Sequence, residues 1–178
     1  VRLAAQTKSL NELESISNKK SEMLSCIPAI RPLKNMYAIT SGFGRRYHPI
    51  LKTLRAHTGV DIAAPKGTPI YATADGTVTS ETPGGGYGIS VVISHGYSYK
   101  TLYAHMSKKA VKPGQKVKRG QVIGYVGSTG MSSGAHLHYE VIKNGQRVNP
   151  VYYFYSDITP EEYNAILESS KRVNQALS

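Results

Sequence analysis

His136 and His138 stand two residues apart in Ala135-His136-Leu137-His138-Tyr139-Glu140-Val141, a stretch in which apolar and polar residues alternate. A period of two is the pattern of a half-buried β-strand, and residues i and i+2 of a strand face the same side. Two imidazoles are thereby aimed into one small space, a costly crowding of polar groups unless a metal ion or a reacting substrate uses them. Upstream, His57-Thr58-Gly59-Val60-Asp61 adds an imidazole and a carboxylate. Two histidines and a carboxylate form a common catalytic zinc set that leaves one coordination position open for water. The residue types therefore point to metal-assisted hydrolysis.

Gly59 and its β-branched neighbours argue against a helix between His57 and Asp61, so these two belong on a loop entering a strand and must meet His138 across a sheet. Thr101-Leu102-Tyr103-Ala104-His105-Met106 also alternates, which predicts Thr101, Tyr103 and His105 on one face. If His57, Asp61 and His138 take the metal, His105 and His136 remain as unliganded imidazoles beside its water. One can accept the water's proton and the other can stabilise an oxyanion. Donor types alone admit iron as well as zinc.

The elements that must position these groups are short. Seventeen glycines, thirteen tyrosines and no tryptophan in 178 residues, with many brief alternating runs, predict an all-β body with tight turns. Between Tyr37 and Pro150 the turn signals are Asp75-Gly76, His95-Gly96, Pro113-Gly114, Arg119-Gly120 and Asn144-Gly145. An antiparallel sandwich or barrel follows most simply. Helix is confined to the ends. From Leu3 to Ile27 apolar residues recur at helical spacing, and Pro28 and Pro32 end the run. Leu3, Leu10 and Leu24 share a heptad phase, but Ser17 and Lys20 interrupt the seams, which leaves a coiled coil and packing on the domain itself as two readings. At the other end Thr159, Pro160 and Glu162 spell a capping box, with Tyr163, Ile166 and Leu167 on the apolar face for docking onto the sheet. The expected organisation is an amphipathic helix and linker over 1–35, a catalytic domain over 36–150 and an extension ending in a helix over 151–178. The helix and linker, coming just before the catalytic body, are expected to position or shield its groove.

A lone cysteine, Cys26, excludes an internal disulfide and a thiolate metal site. No apolar run reaches the length of a membrane span, and no signal peptide is visible. Because the sequence opens at Val1 in mid-helix, a longer protein with a membrane anchor upstream is expected. The net charge of +11 sits mainly on 36–150, which contributes +10, against +3 from 1–35 and −2 from 151–178. Such a field favours a polyanionic partner. Neither an RNA-binding aromatic motif nor a recognition helix accompanies it, so no nucleic acid is expected.

The residues resemble the lysostaphin-type (LytM-domain) zinc endopeptidases of bacterial cell walls. The likeness runs from about Ser41 to Pro150, through Ser41-Gly42-Phe43-Gly44-Arg45-Arg46, His57-x-x-x-Asp61, Ala63-Ala64-Pro65-Lys66-Gly67-Thr68-Pro69-Ile70, Tyr103-Ala104-His105, Gly127-Ser128-Thr129-Gly130 and His136-Leu137-His138. The resemblance implies one zinc per chain on His57, Asp61 and His138, with His105 and His136 as the catalytic pair. It implies a sheet with a groove for an extended peptide, peptidoglycan stems or cross-links as substrate, and a periplasmic or otherwise extracytoplasmic place in the bacterial envelope. No family position is replaced, which speaks against the alternative of a non-catalytic wall-binding or hydrolase-regulating module. Oligomeric state is left open.

Other residues carry weaker signals. His48, beside Pro49, reads as a surface histidine, His95 as structural or exposed, and Arg45 as fixing a loop. Tyr103 has two readings, a hydroxyl aimed at the oxyanion and a core tyrosine. Gly84-Gly85-Gly86 lacks the Lys-Ser/Thr of a phosphate loop and reads as a flexible hairpin tip bordering the groove. The run from Lys112 to Gly127 resembles the hairpin of biotinyl and lipoyl carriers but lacks their Met-flanked lysine.

Overall fold

A computed structural model of the chain describes residues 2–35, 37–47 and 54–175. Its strands are β1 (Ile39–Ser41), β2 (Gly44–Tyr47), β3 (Leu54–His57), β4 (Val60–Ala63), β5 (Pro69–Tyr71), β6 (Gly76–Val78), β7 (Ile89–Gly96), β8 (Tyr99–Lys109), β9 (Lys116–Val117), β10 (Val122–Val126), β11 (His136–Lys143) and β12 (Gln146–Val148). Helices α1 (Arg2–Cys26) and α2 (Pro160–Gln175) flank them. One sheet runs β1-β4-β11-β8-β7-β6-β9, with β12 beside β11 and β10 joining β5 to β8, while β2 and β3 form a separate ribbon. The pairs described are antiparallel.

Register divides the sheet into two faces. Val60, Tyr139, Tyr103 and Val91 pair across four strands and are buried in the main core. Their neighbours Asp61, His138 and Ala104 pair in the adjacent row and point the other way. The main core is closed by Leu33 and Ala29 of the linker, by Val151 and Phe154, and by Ile166 and Leu167 of α2. The two extensions also hold each other, since the Ser156 N–H donates to the Ala29 carbonyl and Arg31 bonds Asp157 through its backbone and side chain. The linker therefore covers the face opposite the donors and does not shield them.

The terminal helices differ in what they bury. Thr159 and Glu162 form the expected capping box, each accepting the other's backbone N–H at 3.2 and 2.9 Å. In α1, by contrast, residues 11–24 are exposed, Leu13 and Ile16 among them, so this stretch of the helix does not pack along its own domain. Its end is held instead: Arg119 Nη2 donates to the carbonyls of Leu24, Ser25 and Ile27, and the Asp75 N–H donates to Ser25. That arrangement also overturns the hairpin expected at Asp75-Gly76. β6 begins at Gly76 and pairs with β7 and β9, not β5, while the Asp75 carboxylate accepts from the Arg119 N–H and Lys118. The β7–β8 turn lies at Tyr97-Ser98, both with positive φ, two residues beyond the His95-Gly96 signal, whereas Asn144-Gly145 turns β11 into β12 as expected.

A buried polar chain runs through the core face. His95 bonds the Asp75 carbonyl through Nδ1 at 2.7 Å and the Thr101 hydroxyl through Nε2 at 2.7 Å, and Thr101, Tyr103, Thr73 and Tyr139 continue the chain. Tyr103 is thus a core residue and not an oxyanion donor, because its hydroxyl is committed to Thr73 and Thr101 on the far side of the sheet. Burial lowers the His95 pKa to about 4, against opposing pulls from the Asp75 carbonyl and carboxylate, so the native ring is neutral. The unfolded ring takes up a proton near its ordinary value of 6.5. The resulting stabilisation is complete above pH 6.5 and disappears as pH falls toward 4, on the order of 3 kcal/mol in all. Urea unfolding between pH 7 and 4.5 is expected to show that loss, with a shallower decline in His95→Gln; parallel declines would contradict it.

Candidate metal centre

The donors meet because β4 and β11 are in register. His138 lies opposite Asp61, and His57 ends β3 just before the turn into β4. That turn presses on β11 so closely that a Cβ on Gly59 would stand 2.3 Å from the Tyr139 carbonyl oxygen and 2.9 Å from Glu140 Cγ, which explains the glycine between the ligands. His57 Nε2 is 3.1 Å from Asp61 Oδ1 and 3.1 Å from His138 Nδ1, and His138 Nδ1 is 2.8 Å from Asp61 Oδ1. One atom from each residue therefore converges on a single point, and the three could hold a metal ion.

The other ring nitrogens fix which atoms face inward. His57 Nδ1 is 2.6 Å from the Gly42 carbonyl, an acceptor only, so Nδ1 carries the proton and Nε2 presents its lone pair. His138 Nε2 donates to Glu140 Oε1 at 3.1 Å, leaving Nδ1 for the centre. Glu140 is fully buried, and its Oε1 also accepts from the Tyr87 hydroxyl at 2.7 Å and from the Thr58 hydroxyl, while Oε2 accepts from Arg147 Nε at 2.8 Å. Burial pushes the Glu140 carboxyl up, but the bonds from His138, Thr58 and Tyr87 prevail and hold it at about 2. Burial likewise pushes Asp61 up and is outweighed by its bonds with His138 and His57, which keep it well below the usual carboxylate range.

His138 shows what the pocket demands. Burial alone lowers its pKa, yet the hydrogen bonds with Asp61 and Glu140 raise it to about 9. Two carboxylates flank one imidazole and call for positive charge at Nδ1. A divalent cation answers that demand where a proton otherwise would, and a metal-ligating histidine typically donates its second N–H to a carboxylate of this kind. The donor set and its surroundings therefore fit a metal ion.

His105 and His136 complete the site. Their rings lie 4.7 Å apart, and His136 Nε2 is 3.9 Å from Asp61 Oδ1. Each has Nδ1 bonded to a carbonyl at 2.8 Å, Thr129 for His105 and Gly134 for His136, so each turns Nε2 toward the donors. Burial, seconded by His136 and His138, holds the His105 pKa below its ordinary value despite the Thr129 carbonyl, and the ring stays neutral.

His105 reaches the site by a route the alternation conceals. Between the pairs Ile89–Met106 and Val91–Tyr103, β8 advances three residues against two on β7, a bulge, and His105 within it has φ of 57°. The extra residue turns His105 away from the face of Thr101 and Tyr103 and onto that of His138, whose ring is 6.0 Å distant. The expectation that these three share a face is thus corrected. Arg45 is exposed on β2, His95 is structural, and His48 lies outside the described residues. Gly86 meets the 128–134 loop at Met131 beside the site. The sequence reading missed Glu140, Thr58, Tyr87 and Arg147. Glu140 had a signal, since it continues the His136, His138 alternation and is buried.

The family model described as Peptidase family M23 matches residues 55–150. Over 113 residues the chain is 57% identical to the DD-carboxypeptidase/endopeptidase Mpg of Neisseria meningitidis serogroup B, covering 64% of this chain and 26% of that protein. Over 119 residues it is 48% identical to the peptidoglycan DD-endopeptidase ShyA of Vibrio cholerae, covering 66% and 28%. The chain thus spans about a quarter of the length of these curated relatives. Among solved structures it is similar to a zinc containing peptidase from Vibrio cholerae, with TM-score 0.63, 42% identity and coverage of 69% of this chain and 39% of that one. It is also similar to the catalytic domain of lysostaphin from Staphylococcus simulans, with TM-score 0.59, 31% identity and coverage of 66% and 91%.

Removing the carboxylate behind His138 tests the support of the centre. Glu140→Gln keeps the volume and is expected to weaken zinc binding about 10- to 100-fold in competition with a chromophoric chelator. Unchanged affinity would show that Glu140 serves only the fold.

Proposed function

The chain belongs to Peptidase family M23, and from that premise we propose that it is a zinc-dependent endopeptidase hydrolysing peptide bonds in peptidoglycan stems or cross-links. The observation that carries this reading is the convergence of His57, Asp61 and His138 beside two imidazoles, His105 and His136, whose Nε2 atoms are both turned inward. In this reading His57 Nε2, Asp61 Oδ1 and His138 Nδ1 hold one zinc ion. When bound, zinc supplies a Lewis acid that acidifies water and polarises a carbonyl.

The remaining work falls to the protein's own groups. Hydrolysis transfers a proton from the attacking water to the departing amine as the C–N bond breaks. His105 suits that transfer, because its ring is neutral, its Nδ1–H is tied to Thr129 and its Nε2 lone pair faces the donors. His136, tied to Gly134, presents Nε2 next to Asp61 and in its protonated form donates to the developing oxyanion. A binding or regulatory module would need neither imidazole, and all five positions are present.

The name of the relative ShyA supports peptidoglycan as the substrate, and a wall substrate in turn supports an extracytoplasmic site of action. Residues 36–150 are the peptidase domain, 1–35 an amphipathic helix and linker, and 151–178 a C-terminal extension ending in a helix. Among the described residues no helix is long and apolar enough to cross a membrane.

Incubation with purified sacculi is expected to release new amino termini, and a chelator is expected to abolish the release until zinc is restored. His105→Ala and His136→Ala should each lower kcat by about 10²- to 10⁴-fold while retaining zinc. Sacculi that yield no new termini with the zinc-loaded protein would overturn the proposal.

A further inference from the structure

His105 is held in an unfavourable backbone conformation. A left-handed φ on a residue with a Cβ is disfavoured and persists only where the surroundings over-determine it. One residue meets this bulge at three places. The Thr129 carbonyl accepts from His105 Nδ1 at 2.8 Å. The Thr129 hydroxyl accepts from the Ile89 N–H at 2.9 Å and donates to the Met106 carbonyl at 2.7 Å. Ile89 and Met106 are the cross-strand pair that closes the bulge, so this hydroxyl bridges the ladder where the register breaks. The His105 N–H donates in turn to the Tyr87 carbonyl at 2.9 Å.

Thr129 can sit there because the adjoining loops close on each other without side chains. A Cβ on Gly88 would lie 2.4 Å from the Thr129 carbonyl carbon, and one on Gly130 would lie 2.3 Å from the Gly86 carbonyl oxygen. A Cβ on Gly127 would lie 2.4 Å from the Ser107 nitrogen. The Met131 N–H donates to the Gly86 carbonyl at 2.7 Å, and the 84–88 and 127–131 segments form a clasp around the bulge.

We propose that Thr129 is a positioning residue that sets both the bulged backbone of His105 and its ring tautomer, with the proton on Nδ1 and the lone pair on Nε2. Thr129 touches no reacting group and acts through His105. Its link to turnover rests on the peptidase reading above, whereas its effect on the tautomer does not.

The zinc-loaded protein, labelled with ¹⁵N-histidine, gives the tautomer directly from two-bond proton–nitrogen correlations. The wild type is expected to show His105 protonated at Nδ1 alone, and the opposite tautomer there would overturn the proposal without any variant. Thr129→Val keeps the shape and removes the hydroxyl, so it should mix the two tautomers and lower kcat about 100-fold, the effect of a misplaced catalytic group, with KM and zinc content unchanged. Thr129→Ser restores the hydroxyl and should recover the single tautomer and most of kcat. A valine variant with the wild-type tautomer and kcat, or a serine variant as impaired as valine, would overturn the proposal. A single tautomer in the wild type and a mixed one in Thr129→Val, with no peptide cleaved by either, would retain the positioning role and reject the peptidase reading.

Discussion

His138 lies between two carboxylates, and the rest of the site is arranged around that fact. Asp61 faces its Nδ1 and Glu140 its Nε2, at 2.8 and 3.1 Å, with Glu140 fully buried and Asp61 partly so. Glu140 would be untenable as a buried charge without Arg147, Tyr87 and Thr58, which turn it into a fixed acceptor. Asp61 is held ionised by His57 and His138, and the three inward donor atoms invite a cation between them. The pocket's electrostatics thus specify a bound positive charge before any ligand is considered.

Alignment of the strands delivers these groups to one point. Pairing His138 with Asp61 fixes the distance between β4 and β11, and Gly59 lets the preceding turn come close enough to bring His57 over the same spot. A one-residue slip of β11 against β4 would send His138 to the core side and Tyr139 outward, parting His138 from Asp61. The large core of Tyr103, Tyr139 and Phe154 opposes such a slip, so packing on one face protects chemistry on the other. The linker and the C-terminal extension contribute from the far side by sealing that core and bonding to each other.

Much of the candidate metal centre's geometry could be read from residue order. The spacing of His136 and His138 told which side of β11 they share, and the same period, carried one step further, reaches Glu140. His105 shows where such reading stops. Its side is decided by a bulge held open by Thr129 and by carbonyls of distant loops, and backbone acceptors leave no trace in residue types. Asp75-Gly76 failed for a related reason: a good turn dipeptide was overridden by long-range bonds to Arg119 and Lys118. The apolar residues of α1 were legible as a helix but gave no partner, and among its described side chains Leu13, Ile16, Met23 and Leu24 are exposed. Caps and hairpins at Thr159 and Asn144, whose signals are purely local, came out where expected.

Anomalous diffraction at the zinc edge, from crystals of the purified protein, addresses the central claim most directly. One peak per chain is expected, bonded to His57 through Nε2, His138 through Nδ1 and Asp61 through a carboxylate oxygen, with His105 and His136 uncoordinated. No peak in zinc-supplemented crystals, or a peak bonded through His136 in place of His138, would contradict it.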